Sequence, residues 1–425
     1  MKEKLLMLGT GQGSREILRY AKSQGMHTIV TDYLDPNHSL AKKDADEYWM
    51  INTGDLDALE LKCREENVTA VVCGISEFNL EMTMELCRRL GFPCYCTPEA
   101  WHYSRDKADF KALCKKLGAP IPTDYDVSDA LTDEELDKVQ FPVMCKPVDM
   151  SGNRGISYCY NKEELIKAYR YARSLSKNNK IIVERMLHGE EWWSGYAIAN
   201  GDIRLIALNG MYSQPGEPKN CYTITSTATN HVEKFISEIN PKIEEVLKAV
   251  GCREGYAWVQ VMLDEDGHFY IIEMGYRLSG EQIYETYNSL CNCDVVKIIV
   301  DYARGLVTKH LLPESQKRAF VKCGTGMILW TNKGGKIVEY RGLEKLKEIP
   351  NLKIDILKQV GDDVVPYRGV GNFSFVSENI EDMISTVDAI NKNVQVINDD
   401  GEDMVIKYTD FDFLRKVYKE GLEGR

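Results

Sequence analysis

The sequence predicts an α/β fold that opens on a parallel sheet and passes into mixed α+β units, and three observations predict it. The chain has 425 residues, which at roughly 150 per domain means about three domains. Its first hundred residues alternate short apolar runs with amphipathic stretches of helical length, the pattern of a parallel sheet covered on both faces. From near Arg318 the pattern changes to strand-rich blocks broken by glycine turns.

Taken in order, Leu5–Leu8 reads as strand, Ser14–Ser23 as helix and Thr28–Val30 as strand. Asp55–Glu66 reads as helix, Ala70–Cys73 as strand, Glu77–Leu90 as helix and Pro93–Cys96 as a last strand. A second unit begins near Ser104 with a helix over Lys107–Lys116, closed by Gly118 and two prolines. The third block carries Gly324–Leu329, a turn at Lys333-Gly334-Gly335 and the alternating run Phe373–Val376. The expected units are 1–103, 104–312 and 313–425.

Lys and Arg total 53 against 65 Asp and Glu, a formal net charge of −12. A chain this acidic is a poor nonspecific partner for nucleic acid or an anionic membrane. With 44% hydrophobic and 28% charged residues it has the composition of a globular protein rather than a disordered one. No apolar run approaches the ~20 residues of a membrane span, and the N-terminus lacks the apolar segment of a secretory signal. The 13 cysteines are scattered without a C-x-x-C pair, so reduced thiols and a cytoplasmic location are expected.

Gly9-Thr10-Gly11-Gln12-Gly13-Ser14 follows a strand and opens a helix, and Asp32 ends the next strand, as in a dinucleotide fingerprint. The last glycine of that fingerprint is missing, replaced by Ser14. The expectation is a tight turn with Asp32 capping a loop.

The chemistry lies between Phe141 and Gly280. The apolar strand Phe141–Pro147 ends on Lys146, a positive charge suited to polyphosphate, and Ser151-Gly152-Asn153-Arg154-Gly155 follows at once. Two glycines there let backbone N–H groups approach phosphate oxygens. Ile181–Glu191 reads as a buried strand breaking into an extended linker that could offer backbone groups to an adenine edge. Trp258–Gly267 and His268–Glu273 form a hairpin, which would bring Gln260 and Glu273 near each other as oxygen donors for Mg²⁺. Arg277 stands four residues after that glutamate, where a guanidinium can meet a phosphate or carboxylate.

These motifs, in this order over nearly the whole chain, resemble the ATP-grasp superfamily, in the branch of carbamoyl-phosphate synthase, biotin carboxylase and L-amino-acid ligases. The resemblance implies a Rossmann-like pre-ATP-grasp domain, a two-lobed ATP-grasp domain with nucleotide and metal between the lobes, and a small mixed C-terminal domain. It implies that Lys107, in Ser104-Arg105-Asp106-Lys107, and Lys146 contact ATP, the latter at the α/β-phosphates. Ser151, Gly152 and Gly155 then belong to a flap over the triphosphate. Glu184, Arg185 and Leu187 lie in a hinge that reads adenine through backbone groups, and Glu191 holds the ribose. Gln260 and Glu273 bridge Mg²⁺ or Mn²⁺, Gln260 being a family variant, and Arg277 stabilises an acyl phosphate or orients a carboxylate.

The implied activity is an ADP-forming carboxylate–amine ligase that makes a C–N bond through an acyl phosphate. Its substrates would be a small carboxylate and an amine, an amino acid foremost, and a homodimer is compatible with it. A bicarbonate-activating carboxylase and a nucleotide-binding protein with impaired catalysis are the alternatives. The latter rests on one departure: the family's Glu-x-Asn-Pro-Arg is here Glu273-Met274-Gly275-Tyr276-Arg277, so a metal-ligating asparagine is replaced by glycine. Ser279-Gly280-Glu281-Gln282 reads equally as a second-substrate segment or a turn. Of Trp192 and Trp193, adjacent in a strand, one is expected in the core.

Overall fold

The computed structural model describes residues 2–36, 39–148, 155–314 and 320–423. Strands β1 (Lys4–Leu8), β2 (His27–Thr31), β3 (Glu47–Trp49) and β4 (Ala70–Cys73) form a parallel sheet in the order β3-β2-β1-β4. The apolar runs of β1 and β4 are buried along almost their whole length, as a parallel sheet covered on both faces requires. Helix Ser14–Ser23 turns Ile17, Leu18 and Ala21 inward. Helix Glu77–Leu90 starts where the Ser76 side chain accepts the Asn79 N–H and ends on left-handed Gly91.

The strand expected at Pro93–Cys96 does not form. Pro93 has no N–H for a ladder, and this irregular segment is fastened to the large lobe instead. Tyr276 donates its hydroxyl to the Tyr95 carbonyl at 2.9 Å, and the two rings meet edge-on at 5.5 Å. In its place β3 completes the sheet, a three-residue strand too short to show a period.

A second sheet, ordered β5-β8-β6-β7, joins β5 (Asp124–Tyr125), β6 (Val143–Pro147), β7 (Ser157–Cys159) and β8 (Ile181–Arg185) in antiparallel pairs. Helix Lys162–Leu175 backs it, and Val143, Cys145, Leu165, Ala172 and Val183 make its separate core. The remaining strands are β9 (Gly189–Ala199), β10 (Asp202–Ser213), β11 (Tyr222–Ser226), β12 (Gly255–Asp264), β13 (Phe269–Gly275), β14 (Cys323–Trp330), β15 (Gly335–Arg341), β16 (Lys353–Ile356), β17 (Asp363–Val364), β18 (Gly369–Ser377) and β19 (Gln395–Asn398). Eight of them form one sheet in the order β13-β12-β9-β10-β11-β14-β18-β16, and β17-β15-β19 make a small one.

The eight-stranded sheet runs across the expected boundary at 312, because β11 pairs with β14. A distinct core of Met327, Phe373, Val387, Val396 and Leu414 nonetheless gathers the last hundred residues. The division into 1–103, 104–312 and 313–425 is our proposal on that basis, with the shared sheet as the seam between the last two units. Among the described residues no helix is long and apolar enough to cross a membrane.

Asp32 is consumed by the fold. It accepts the Thr10 hydroxyl at 2.7 Å and the Leu34 N–H at 2.9 Å, and it pairs at 2.7 Å with Lys42, whose side chain is fully buried. Removing one partner of a buried ion pair leaves an uncompensated charge. Lys42→Met should therefore lower the unfolding free energy by about 3–5 kcal/mol in urea denaturation. A loss below about 1 kcal/mol would show that Asp32 does not depend on it.

Candidate functional site

The hairpin brings its two polar residues together through a register shift between Gln260 and Val261. Gln260 and Glu273 are direct cross-strand partners on β12 and β13, and Glu191 on β9 stands opposite Met262. Because alternate strand residues share a face, Glu191, Gln260 and Glu273 project from the same side of the large sheet. The Gln260 Nε2 donates to Glu191 at 2.8 Å, and the Tyr222 hydroxyl donates to the same carboxylate oxygen. Burial raises the Glu191 carboxyl above its ordinary value. Tyr222 was not anticipated; it comes from β11, more than thirty residues away in sequence.

Facing this sheet, helix Lys107–Lys116 starts on Asp106, whose side chain accepts the N–H groups of Ala108 and Asp109. Lys107 and Lys111, four residues apart, lie on one side of it. Lys107 pairs with Glu273 at 2.8 Å. Burial alone would raise the Glu273 carboxyl, but the Lys107 charge outweighs it, with help from Lys146 and Arg277, and holds Glu273 low and ionised. Its oxygens and the amide oxygen of Gln260 are hard donors on neighbouring strands, a set that suits Mg²⁺ with waters completing its shell.

The second lysine, Lys146, ends β6 and pairs with Glu184 on neighbouring β8. Glu184 also pairs with Lys111, which reaches Asp124 as well. Here the structure corrects an expectation. Glu184 contributes more than hinge backbone: its side chain is 1% exposed and holds two lysines that are themselves 5% and 8% exposed. Burial works against its charge, yet Lys146 and Lys111 win and lower it to about 2. Lys146 is pulled below the ordinary lysine value by burial, with the charges of Lys111 and Lys107 adding to the effect despite Glu184. Three lysines thus converge on Glu184 and Glu273, with Asp124 at the margin. Lys111 escaped the sequence reading, although its i+4 spacing from Lys107 was a usable signal.

The hinge divides between backbone and side chain. The N–H groups of Arg185 and Met186 are taken by the Thr123 and Pro142 carbonyls, and that of His188 by Asp264. The N–H of buried Leu187 has no such partner among the described residues, so it is the group left for a ligand edge. The Arg185 side chain turns away, pairing with Asp264 at 2.5 Å and Asp266 at 3.2 Å over the Tyr270 ring. Ser151 and Gly152 lie outside the described residues. Gly155 is described, with φ of +81°, and a Cβ there would stand 2.9 Å from the Pro147 ring, so a side chain is excluded twice over.

Arg277 arrives beside the cleft on the chain leaving β13. It donates to the Leu278 carbonyl at 2.9 Å and to Glu77 at 3.2 Å, and its guanidinium lies 5.5 Å from the Trp258 ring centre. Trp258 stacks on Trp193 at 4.4 Å and 7°. Trp192 is the core residue of the Trp192-Trp193 pair, and Trp193 shares the face of Gln260. Ser279, Glu281 and Gln282 are all buried over the sheet, with Asn372 donating to the Gly280 carbonyl and the Gln282 side chain. Burial pushes the Glu281 carboxyl up to about 7.

Comparison with known proteins places the fold. Residues 121–276 match the family model described as "D-ala D-ala ligase C-terminus". The formate-dependent phosphoribosylglycinamide formyltransferase of Methanocaldococcus jannaschii is 25% identical over 190 residues, 44% of this chain and 48% of that protein. The chain thus spans about half the length of the curated relatives it matches. Among solved structures, the L-amino acid ligase of Bacillus licheniformis superposes with a TM-score of 0.75 at 16% identity, over 93% of this chain and 99% of that one. The biotin carboxylase domain dimer of Hydrogenobacter thermophilus 2-oxoglutarate carboxylase, solved with MgADP and bicarbonate, gives 0.72 at 18%, over 99% and 94%. The fold is that of the ATP-grasp enzymes, as the motif order implied.

A carboxylate held low adds stability that is complete above its unfolded value, about 4.3 for Glu, and drains as pH falls through the folded value of about 2. Glu184→Gln leaves buried Lys146 without its counter-ion and Lys111 with Asp124 alone, and should cost about 3 kcal/mol near pH 7. Urea titrations should show the gap between wild type and Glu184→Gln shrinking from pH 5 to pH 2.5. A gap that stays constant would mean the carboxylate charge is not what holds the lysines.

Proposed function

We propose that this chain is an ATP-dependent, ADP-forming ligase that joins a small carboxylate to an amine. One observation carries the reading: Lys107, Lys111 and Lys146 converge at one place, Lys111 and Lys146 sharing buried Glu184 and Lys107 held by Glu273, with exposed Asp124 as the third carboxylate. Like charges packed this closely repel, and a polyphosphate relieves that repulsion. Lys107 and Lys146 are then the phosphate contacts, Ser151, Gly152 and Gly155 the flap, and Glu184, Arg185 and Leu187 the hinge. The open Leu187 N–H supports the adenine role, and Glu191 on the sheet face supports a ribose contact.

Gln260 and Glu273 would hold Mg²⁺ or Mn²⁺, which when bound supplies neutralisation of charge on the transferring phosphoryl group. The chain's own task is positioning. A substrate carboxylate attacks the γ-phosphoryl group to give an acyl phosphate, and Arg277, held by Trp258 and Glu77, offsets charge on it. An amine then displaces phosphate. Glu281, whose carboxyl sits near neutrality beside Arg277, supports placing the second substrate on the Ser279–Gln282 side. The names of the relatives, a formate-dependent formyltransferase and an L-amino acid ligase, support a small carboxylate with an amine. All 13 cysteines are free thiols, which supports a reducing, cytoplasmic setting, and the dimeric relative supports a homodimer.

The test is Mg²⁺-dependent ADP release from ATP against pooled amino acids and small carboxylic acids. One pool should stimulate release, and Lys107→Met and Lys146→Met should each lower that rate by about 100-fold or more with circular dichroism unchanged. Silence with every pool, or stimulated release untouched by both variants, would contradict the proposal.

A further inference from the structure

We infer that Trp258 and Gly275 act as one steric unit, which excludes a side-chain donor at position 275 beside the Gln260–Glu273 pair. The inference rests on the nucleotide-and-metal reading of the cleft and adds to it a residue that no motif marks.

The register makes the argument. Gln260 opposes Glu273, and two residues away on each strand Trp258 opposes Gly275. All four positions share one face of β12 and β13, as two adjacent cross-strand pairs. An oxygen-bearing side chain at 275 would therefore stand next to Glu273, within reach of any cation held there. No such side chain fits. A Cβ at 275 would lie 2.2 Å from both Cε2 and Cζ2 of the Trp258 indole and 2.7 Å from its Nε1, which is inside the ring's contact surface.

The indole has little room to leave. It is buried, stacked flat on Trp193 and covered by the Arg277 guanidinium. The indole nitrogens of Trp193 and Trp258 have no hydrogen-bond partner among the described residues. Packing, not hydrogen bonding, therefore keeps the ring here. Glycine at 275 is the complement of tryptophan at 258, so restoring a donor requires changing both residues.

Two measurements on the full chain test this. The first is a melting cycle. Gly275→Ala should lower the melting midpoint in wild type and lower it less in a Trp258→Thr background, because the shorter side chain frees the space. Equal drops in both backgrounds would overturn the steric unit. The second is Mn²⁺ affinity by electron paramagnetic resonance with the β,γ-imido analogue of ATP. Gly275→Asn and Trp258→Thr alone should not tighten Mn²⁺ binding, whereas Trp258→Thr/Gly275→Asn should tighten it by about tenfold. A gain in Gly275→Asn alone equal to that of the double variant would overturn the proposal, as would no gain in the double variant. Absence of Mn²⁺ binding by wild type with the analogue would overturn the metal-site reading itself, and the melting cycle would still judge the steric unit.

Discussion

Burying lysines demands a counter-charge, and the cleft is organised around that demand. Lys111 and Lys146 are almost wholly removed from water, and an ammonium in that position costs several kcal/mol unless paired. Glu184 supplies the pairing from a position more deeply buried than either lysine. This fixes the neighbours: β6 and β8 must be adjacent so that Lys146 can reach Glu184, and the helix Lys107–Lys116 must lie across their ends. Its first turn then carries Lys107 to Glu273 on the large sheet. Ion pairs made from one helix therefore tie the small lobe, the helix and the eight-stranded sheet together, with Lys107, Lys111 and Lys146 set against Glu184, Glu273 and Asp124.

Much of this was legible in the sequence. The boundaries of helices Ser14–Ser23, Glu77–Leu90 and Lys107–Lys116 agree with the amphipathic pattern because periodicity and glycine ends, and for the last two the Ser76 and Asp106 caps, point to the same limits. The hairpin itself was readable from its glycine turn, but its turn register would set Gln260 opposite Ile272, and a register shift between Gln260 and Val261 is what brings Gln260 opposite Glu273. What was not legible came from long-range packing. Pro93–Cys96 has strand composition but bonds to Tyr276 rather than to a sheet. Tyr222 and Glu77 enter the site from separate elements, and no local pattern records where those elements meet. The flap residues Ser151 and Gly152 lie outside the described residues, so their expected role rests on resemblance alone.

Gly275 shows how a local departure from a motif acquires meaning from its partner across the strand. Read along the chain, it is a lost ligand. Across the sheet it is the space a tryptophan needs, and that tryptophan in turn carries the Arg277 guanidinium. The same residues were visible in sequence, at 258, 275 and 277, but their coupling depends on register and ring orientation, which a one-dimensional pattern does not contain.

The central claim is that the lysine–carboxylate cluster is a nucleotide site, and calorimetric titration of the full chain with MgADP tests it most directly. The account predicts saturable one-to-one binding that weakens as salt is raised and is lost in a folded Lys146→Met variant. No binding by the wild type, or equal affinity in the variant, would contradict it.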